Sequence, residues 1–224
     1  MKTTLGMAKV NLRHARMPQL TAGIGFAIGI LTYAISFLID NSNGQNLAVG
    51  NCLFLLPLCM AIFIPTAHFT KLMNLGGRRK EFFKSAIFSY IPAIVIAAAV
   101  SIITRLTIDK AIVLSGKLSD TVDLLDVLGF ASHGSLSAFF QISAVLFLFC
   151  CILHTMTLIQ GKWYGWIVDI FIIVMIFSPL NAALVWFFNM VIFHNIILVQ
   201  IISCLLFGSV IYALSFIPIQ NKPI

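Results

Sequence analysis

The feature that most restricts this chain is a succession of apolar runs separated by short polar breaks. The runs cover residues 20–39, 47–66, 83–103, 136–154 and 163–177, with a sixth at 195–216. A run of about 20 apolar residues crosses a bilayer as a helix, because backbone polar groups in hydrocarbon find partners only within the segment. A transmembrane barrel would need alternating segments of about 10 residues, and none occurs. Composition removes the soluble alternatives: the chain is 60% hydrophobic and 9% charged, whereas an ordinary soluble domain is about a quarter charged. The expectation is an all-α integral membrane protein, a single transmembrane domain over residues 1–224 with six spans.

Between the runs the sequence names its own accessories. Residues 1–19 carry Lys2, Lys9, Arg13 and Arg16 interleaved with Leu5, Met7, Val10, Leu12 and Met17. That pattern predicts an amphipathic helix lying on an anionic membrane surface, with a disordered basic tail as the alternative. The following run is span length and lacks a small-residue cleavage site, so no cleavable signal is expected. Gly25 and Gly29 give the first span a small-residue face for close helix contact. Pro57 and Pro65 predict a kink or local break in the second. Residues 105–135 form the longest polar stretch, read as an outer loop. Within it Ser119 is the expected N-cap of a short surface helix lined by Val122, Leu125 and Leu128. The stretch from 178 to 216 is too long for one span and too short for two with a loop. It predicts a re-entrant helical element at 178–194, tolerated at depth only where protein or water covers it, followed by the last span.

Charge sets the orientation. With six spans, Lys2, Lys9, Arg13, Arg16, Lys71, Arg78, Arg79, Lys80, Lys84, Lys162 and Lys222 fall on one side. Arg105, Lys110 and Lys117 fall on the other. The bias places both termini in the cytoplasm of a multi-pass plasma-membrane protein. A net charge of +7 spread this way speaks for lipid contact and against a nucleic-acid partner.

Chemistry-bearing motifs are few. Cys52, Cys59, Cys150, Cys151 and Cys204 all lie in apolar runs, without the flanks of a zinc site, and read as small apolar fillers. No metal ligand set is expected. Gly116-Lys117 and Gly161-Lys162 lack the upstream loop and the Ser or Thr of a phosphate-binding motif. The His133–Ser137 stretch has no nucleophile elbow, so Ser135 reads as a helix cap. No catalytic residue is assigned. Asp169 and His194 are the intramembrane polar candidates. Asp169 reads as a hydrogen-bonded packing residue, with a substrate or proton role as the alternative. His194 reads as a satisfied polar contact.

The stretch "NLGGRRKEFFK", residues 74–84, stands apart. Gly76-Gly77 breaks two helical segments, since glycine just past a helix end adopts the left-handed conformation at low cost. The result is a hairpin over residues 70–84, presenting Arg78, Arg79 and Lys80. By charge alone it is an ordinary loop that binds lipid phosphates. Its order, Leu75-Gly76-Gly77-Arg78-Arg79-Lys80-Glu81-Phe82-Phe83, resembles the loop between spans two and three of ABC exporter permeases of the second type. There a Leu-Gly-small-Arg-Lys-x-Phe-Phe pattern recurs, and this chain has one extra basic residue. The whole layout is similar too, save that no large outer domain separates the first two spans. The resemblance implies that residues 75–83 dock on a separate ATP-binding subunit. It further implies a second permease subunit, identical or not, and ATP with Mg in the partner, with no cofactor in this chain. The cargo it implies is hydrophobic or amphipathic, such as a peptide antibiotic, a lipid-like molecule or a drug. A membrane scaffold or sensor with a lipid-binding loop is the competing expectation.

Overall fold

The computed structural model describes residues 2–39, 45–115, 120–160, 162–179 and 181–222. It is almost wholly helical. Helix α1 (Lys2–His14) is followed after Ala15 by α2 (Arg16–Ile39). A short strand β1 (Gln45–Leu47) leads into one continuous helical passage, Val49–Asn74. That passage begins as a 3-10 turn (Val49–Phe54) and continues as α3 (Leu55–Phe63). It then widens to a π-helical turn (Ile64–His68) and ends as α4 (Phe69–Asn74). The π turn sits at Pro65, where the missing N–H and the ring deny the regular ladder. The kink expected from the prolines takes this form.

The next helix runs unbroken from Arg79 to Leu114, 36 residues. It comprises α5 (Arg79–Thr104), a π turn (Arg105–Asp109) and α6 (Lys110–Leu114). At about 1.5 Å per residue it is about 54 Å long, well beyond a hydrocarbon core of about 30 Å. This corrects the reading of 105–135 as loop throughout, because its first ten residues continue the third span. Strand β2 (Asp120–Val122) pairs in parallel with β1. Helix α7 (Leu124–Val127) follows, capped by Asp123, whose carboxylate accepts the Leu125 N–H at 3.1 Å. The surface helix therefore starts later than expected, and Ser119 lies outside the described residues. Leu125 is fully buried, but Val122 is exposed on the strand.

Helix α8 (Ser135–Ile159) is the central post. The N-cap position is taken by Gly134 at φ 87°, and Ser135, expected to be the cap, is the first helical residue instead. Helices α9 (Trp163–Phe177) and α10 (Asn181–Val191) meet at 94°. Helices α11 (Ile197–Leu214) and α12 (Phe216–Gln220) complete the chain. Among the described residues, five helical passages are long and apolar enough to cross a membrane, six if the bent α9–α10 pair counts as one. The architecture is that of an all-α membrane protein.

Packing follows side-chain size. Gly208 of α11 lies against α8, where an added Cβ would meet the Phe147 ring at 3.0 Å. Gly25 and Gly29 of α2 face Cys52 and Val49, where an added Cβ would come to 3.4 Å of each, so the small-residue face packs against the 3-10 turn. Helix α1 buries Thr4, Ala8 and Asn11, a narrow stripe of small and polar residues, and turns Leu5 and Val10 outward. Helix α9 differs from the rest. Of its residues only Gly165 is buried, and at 15 residues it is about 22 Å long, short of a bilayer core.

Candidate functional site

The hairpin is built by its two glycines. Helix α4 ends in a Schellman turn: Gly77 N–H donates to the Leu72 carbonyl and Gly76 N–H to the Met73 carbonyl, both at 3.0 Å. Gly76 holds φ 81°, the left-handed conformation expected of it. Gly77 is required for space instead. A Cβ there would lie 2.7 Å from both the Leu72 carbonyl oxygen and Met7 Cε of α1. Arg78 then returns to extended backbone (φ −92°, ψ 139°), and α5 starts at Arg79 with Glu81 in its first turn.

The nine hairpin residues do not act as one surface. Leu75, Gly76, Arg78 and Lys80 are exposed, with Leu75 at 81%. Arg79 is half-buried, and its guanidinium Nη2 donates to the Lys222 carbonyl at 2.9 Å. Glu81 is half-buried. Phe82 is fully buried, packed edge-on against Phe69 with centroids 5.1 Å apart. Phe83 stacks on Tyr212 at 4.4 Å, and the Tyr212 hydroxyl donates to the Phe83 carbonyl. The two phenylalanines therefore anchor the hairpin inward. An aromatic side chain from Phe82 entering a partner is excluded by its burial, and Leu75 is the apolar group left at the tip.

The C-terminal tail clamps this end. Lys222 Nζ donates to the Pro65 carbonyl at 2.6 Å and stands 5.0 Å over the Phe69 ring. Burial pulls the Lys222 ammonium below its ordinary pKa. Lys162 Nζ donates to the Asn221 carbonyl at 3.0 Å. Helix α1 joins them through Met7 and through His68 Nδ1, which lies 3.1 Å from Asn11 Oδ1. The hairpin, α1, the Lys162 turn and the tail thus meet at one end of the bundle.

The two intramembrane candidates part company. Asp169 is half-buried, and Gln160 Nε2 donates to both of its oxygens at 2.9 and 3.0 Å. A hydrogen-bonded acid is what its span position requires. His194 Nδ1 accepts the Ile196 N–H at 3.0 Å, a local contact. It borders a cavity of about 430 Å³ with His133, Gln141 and Asn195. A second cavity, about 380 Å³, is lined by apolar side chains and shares Leu128, Ile192 and Phe193 with the first. Together they form a polar and an apolar compartment side by side, between α7, α8 and α10.

Two buried pairs escaped the sequence reading. Gln141 Nε2 donates to Gln200 Oε1 at 2.9 Å across α8 and α11. Tyr90 and His154 share a 2.7 Å hydrogen bond across α5 and α8. The signal was a neutral polar residue inside an apolar run, which names one partner and never the other. The cysteines are free thiols among the described residues, and Cys204 Sγ donates to the Val191 carbonyl at 3.3 Å. No group of His, Cys, Asp and Glu that would hold a metal occurs among the described residues.

No protein-family model, curated protein or solved structure matches this chain.

Proposed function

We propose that this chain is the membrane-spanning subunit of a small bacterial ABC exporter, paired with a second permease and driven by two ATP-binding subunits. The observation that supports it is the hairpin: a Schellman-locked tip bearing exposed Leu75, Arg78 and Lys80, continuous with the 36-residue helix Arg79–Leu114. A rigid tip fused to a long helix passes a partner's displacement across the membrane. Arginine supplies forked donors and a leucine tip an apolar anchor. Nucleotide provides the difference in affinity that such a switch needs. Eleven basic residues fall near the chain ends, the hairpin and the Lys162 turn, which favours a cytoplasmic position for that end. The adjoining polar and apolar cavities suit an amphipathic cargo.

A second reading is a scaffold or sensor whose hairpin binds lipid. The burial of Phe82 favours it, because the remaining surface of the hairpin is largely cationic. Purification from native membranes in mild detergent separates the two. The exporter reading expects an ATP-binding chain at equal stoichiometry and Mg-dependent ATP hydrolysis in the complex. Recovery of the folded protein with no ATPase sinks it.

A further inference from the structure

Beneath the hairpin lies a cavity of about 500 Å³, lined by Val10, His14, Arg16, His68, Lys71, Leu72 and Leu75. Four of these seven side chains are basic, three are apolar, and no acid lines it among the described residues. The walls come from four elements. His14 closes α1, with its Nδ1 3.0 Å from the Val10 carbonyl. Arg16 opens α2, so the N-terminal end of a 24-residue helix borders the space. Lys71 and Leu72 belong to α4, while His68 ends the π turn that precedes it.

The buried wall is polar where apolar packing would have been simpler. His68 is 9% exposed and pairs with Asn11, which is fully buried. Arg16 and Lys71 bring two positive charges to the same partly open space, and an anion between them relieves their repulsion. The leucines and valine add a surface for acyl chain beside it. We infer that this cavity is a binding site for one phosphate-bearing amphiphile, an anionic membrane phospholipid whose headgroup sits among His14, Arg16, His68 and Lys71. The cavity lies at the hairpin end and shares Leu75 with the tip. A bound lipid would therefore fill the space between α1 and the hairpin and brace it. The inference does not depend on the exporter reading, and its test needs no ATPase.

The test is native mass spectrometry of the full chain in mild detergent, titrated with phosphatidylglycerol, phosphatidylcholine of the same acyl chains, and inorganic phosphate. One phosphatidylglycerol per chain is expected to survive, with phosphatidylcholine lost first. Arg16→Gln and Lys71→Gln, both exposed positions whose change spares the core, should each weaken retention about fivefold. Lys110→Gln removes the same charge from an exposed site at the opposite end of the bundle and should leave retention unchanged. His68→Gln, with thermal unfolding measured alongside, reports on the buried wall and should also reduce retention. Equal loss in Lys110→Gln overturns the site in favour of diffuse attraction. Equal retention of both lipids overturns the anionic headgroup. A thermal shift with inorganic phosphate alone, with no lipid retained, overturns the lipid assignment and leaves a site for a soluble anion.

Discussion

The two ends of this bundle handle charge in opposite ways. At the β1–β2 end the cation is neutralised within the chain. Arg105 Nε lies 3.2 Å from the Asp123 carboxylate, and its Nη2 donates to Asp126 at 2.6 Å. Asp109, nearly buried, accepts the Tyr33 hydroxyl at 2.7 Å. At the hairpin end the cations meet main-chain carbonyls instead: Arg79 on Lys222, Lys162 on Asn221, Lys222 on Pro65. A carbonyl accepts a hydrogen bond without cancelling the charge. The first end pairs its cation within the chain, while these cations of the second end rest on neutral carbonyls. Removing one partner of a partly desolvated pair is costly, because the other charge is left buried without its counterion. The second end gets its rigidity from glycine geometry and buried aromatics.

If that contrast is right, the largest losses of stability come from the β1–β2 end. Gly50 sits where a Cβ would be 2.8 Å from Ser101 Cα and 2.6 Å from Thr104 Oγ1. Gly50→Val forces α5 away from the 3-10 turn and should cost about 3 kcal/mol, read as a lower unfolding temperature in detergent. Arg105→Gln comes next. It leaves the nearly buried Asp123 without its cation, and because Arg105 is itself partly exposed the loss should be about 2 kcal/mol, toward the lower end for a broken pair. A loss below a few tenths of a kcal/mol would show that water already neutralises this end.

Lys222→Met probes the other end. It deprives the Pro65 carbonyl of its donor while keeping bulk over Phe69, and should cost about 1 kcal/mol. A loss exceeding that of Arg105→Gln would reverse the contrast. The smallest effect is a pH slope. Burial raises the Asp123 carboxyl above its ordinary pKa, against the opposing pull of the Leu125 N–H and Arg105. A raised acid favours the fold while protonated. Its contribution is therefore complete below the ordinary carboxylate pKa and is lost as pH rises through the raised value. The unfolding temperature should fall slightly across that window, and Asp123→Asn should flatten the slope.

What the sequence made legible follows from which signals are local. Apolar runs give helices, and Gly76-Gly77 gives the turn, because length and left-handed backbone are properties of a few neighbouring residues. Pro65 announces a disturbance for the same reason. The continuation of the third span past Ile103 was hidden. Arg105 and Asp109 read as loop, yet the π turn carries Arg105 to Asp123 and Asp126, and Asp109 to Tyr33. Those partners lie 18 to 76 residues away in the chain. Phe82 and Phe83 sit about 100° apart on a helix, and nothing local says which of them is fully buried. Gln141 with Gln200, and Tyr90 with His154, are likewise pairs that only packing brings together.

The most direct test of the account reverses one exposed cation at each end and reads association with the proposed ATP-binding subunit. Arg78→Glu and Lys110→Glu make the same charge change on exposed residues. The account predicts that Arg78→Glu lowers co-purification and ATP hydrolysis at least tenfold, while Lys110→Glu leaves both as in the unaltered chain. Full association in Arg78→Glu, or equal loss in the two variants, would contradict it.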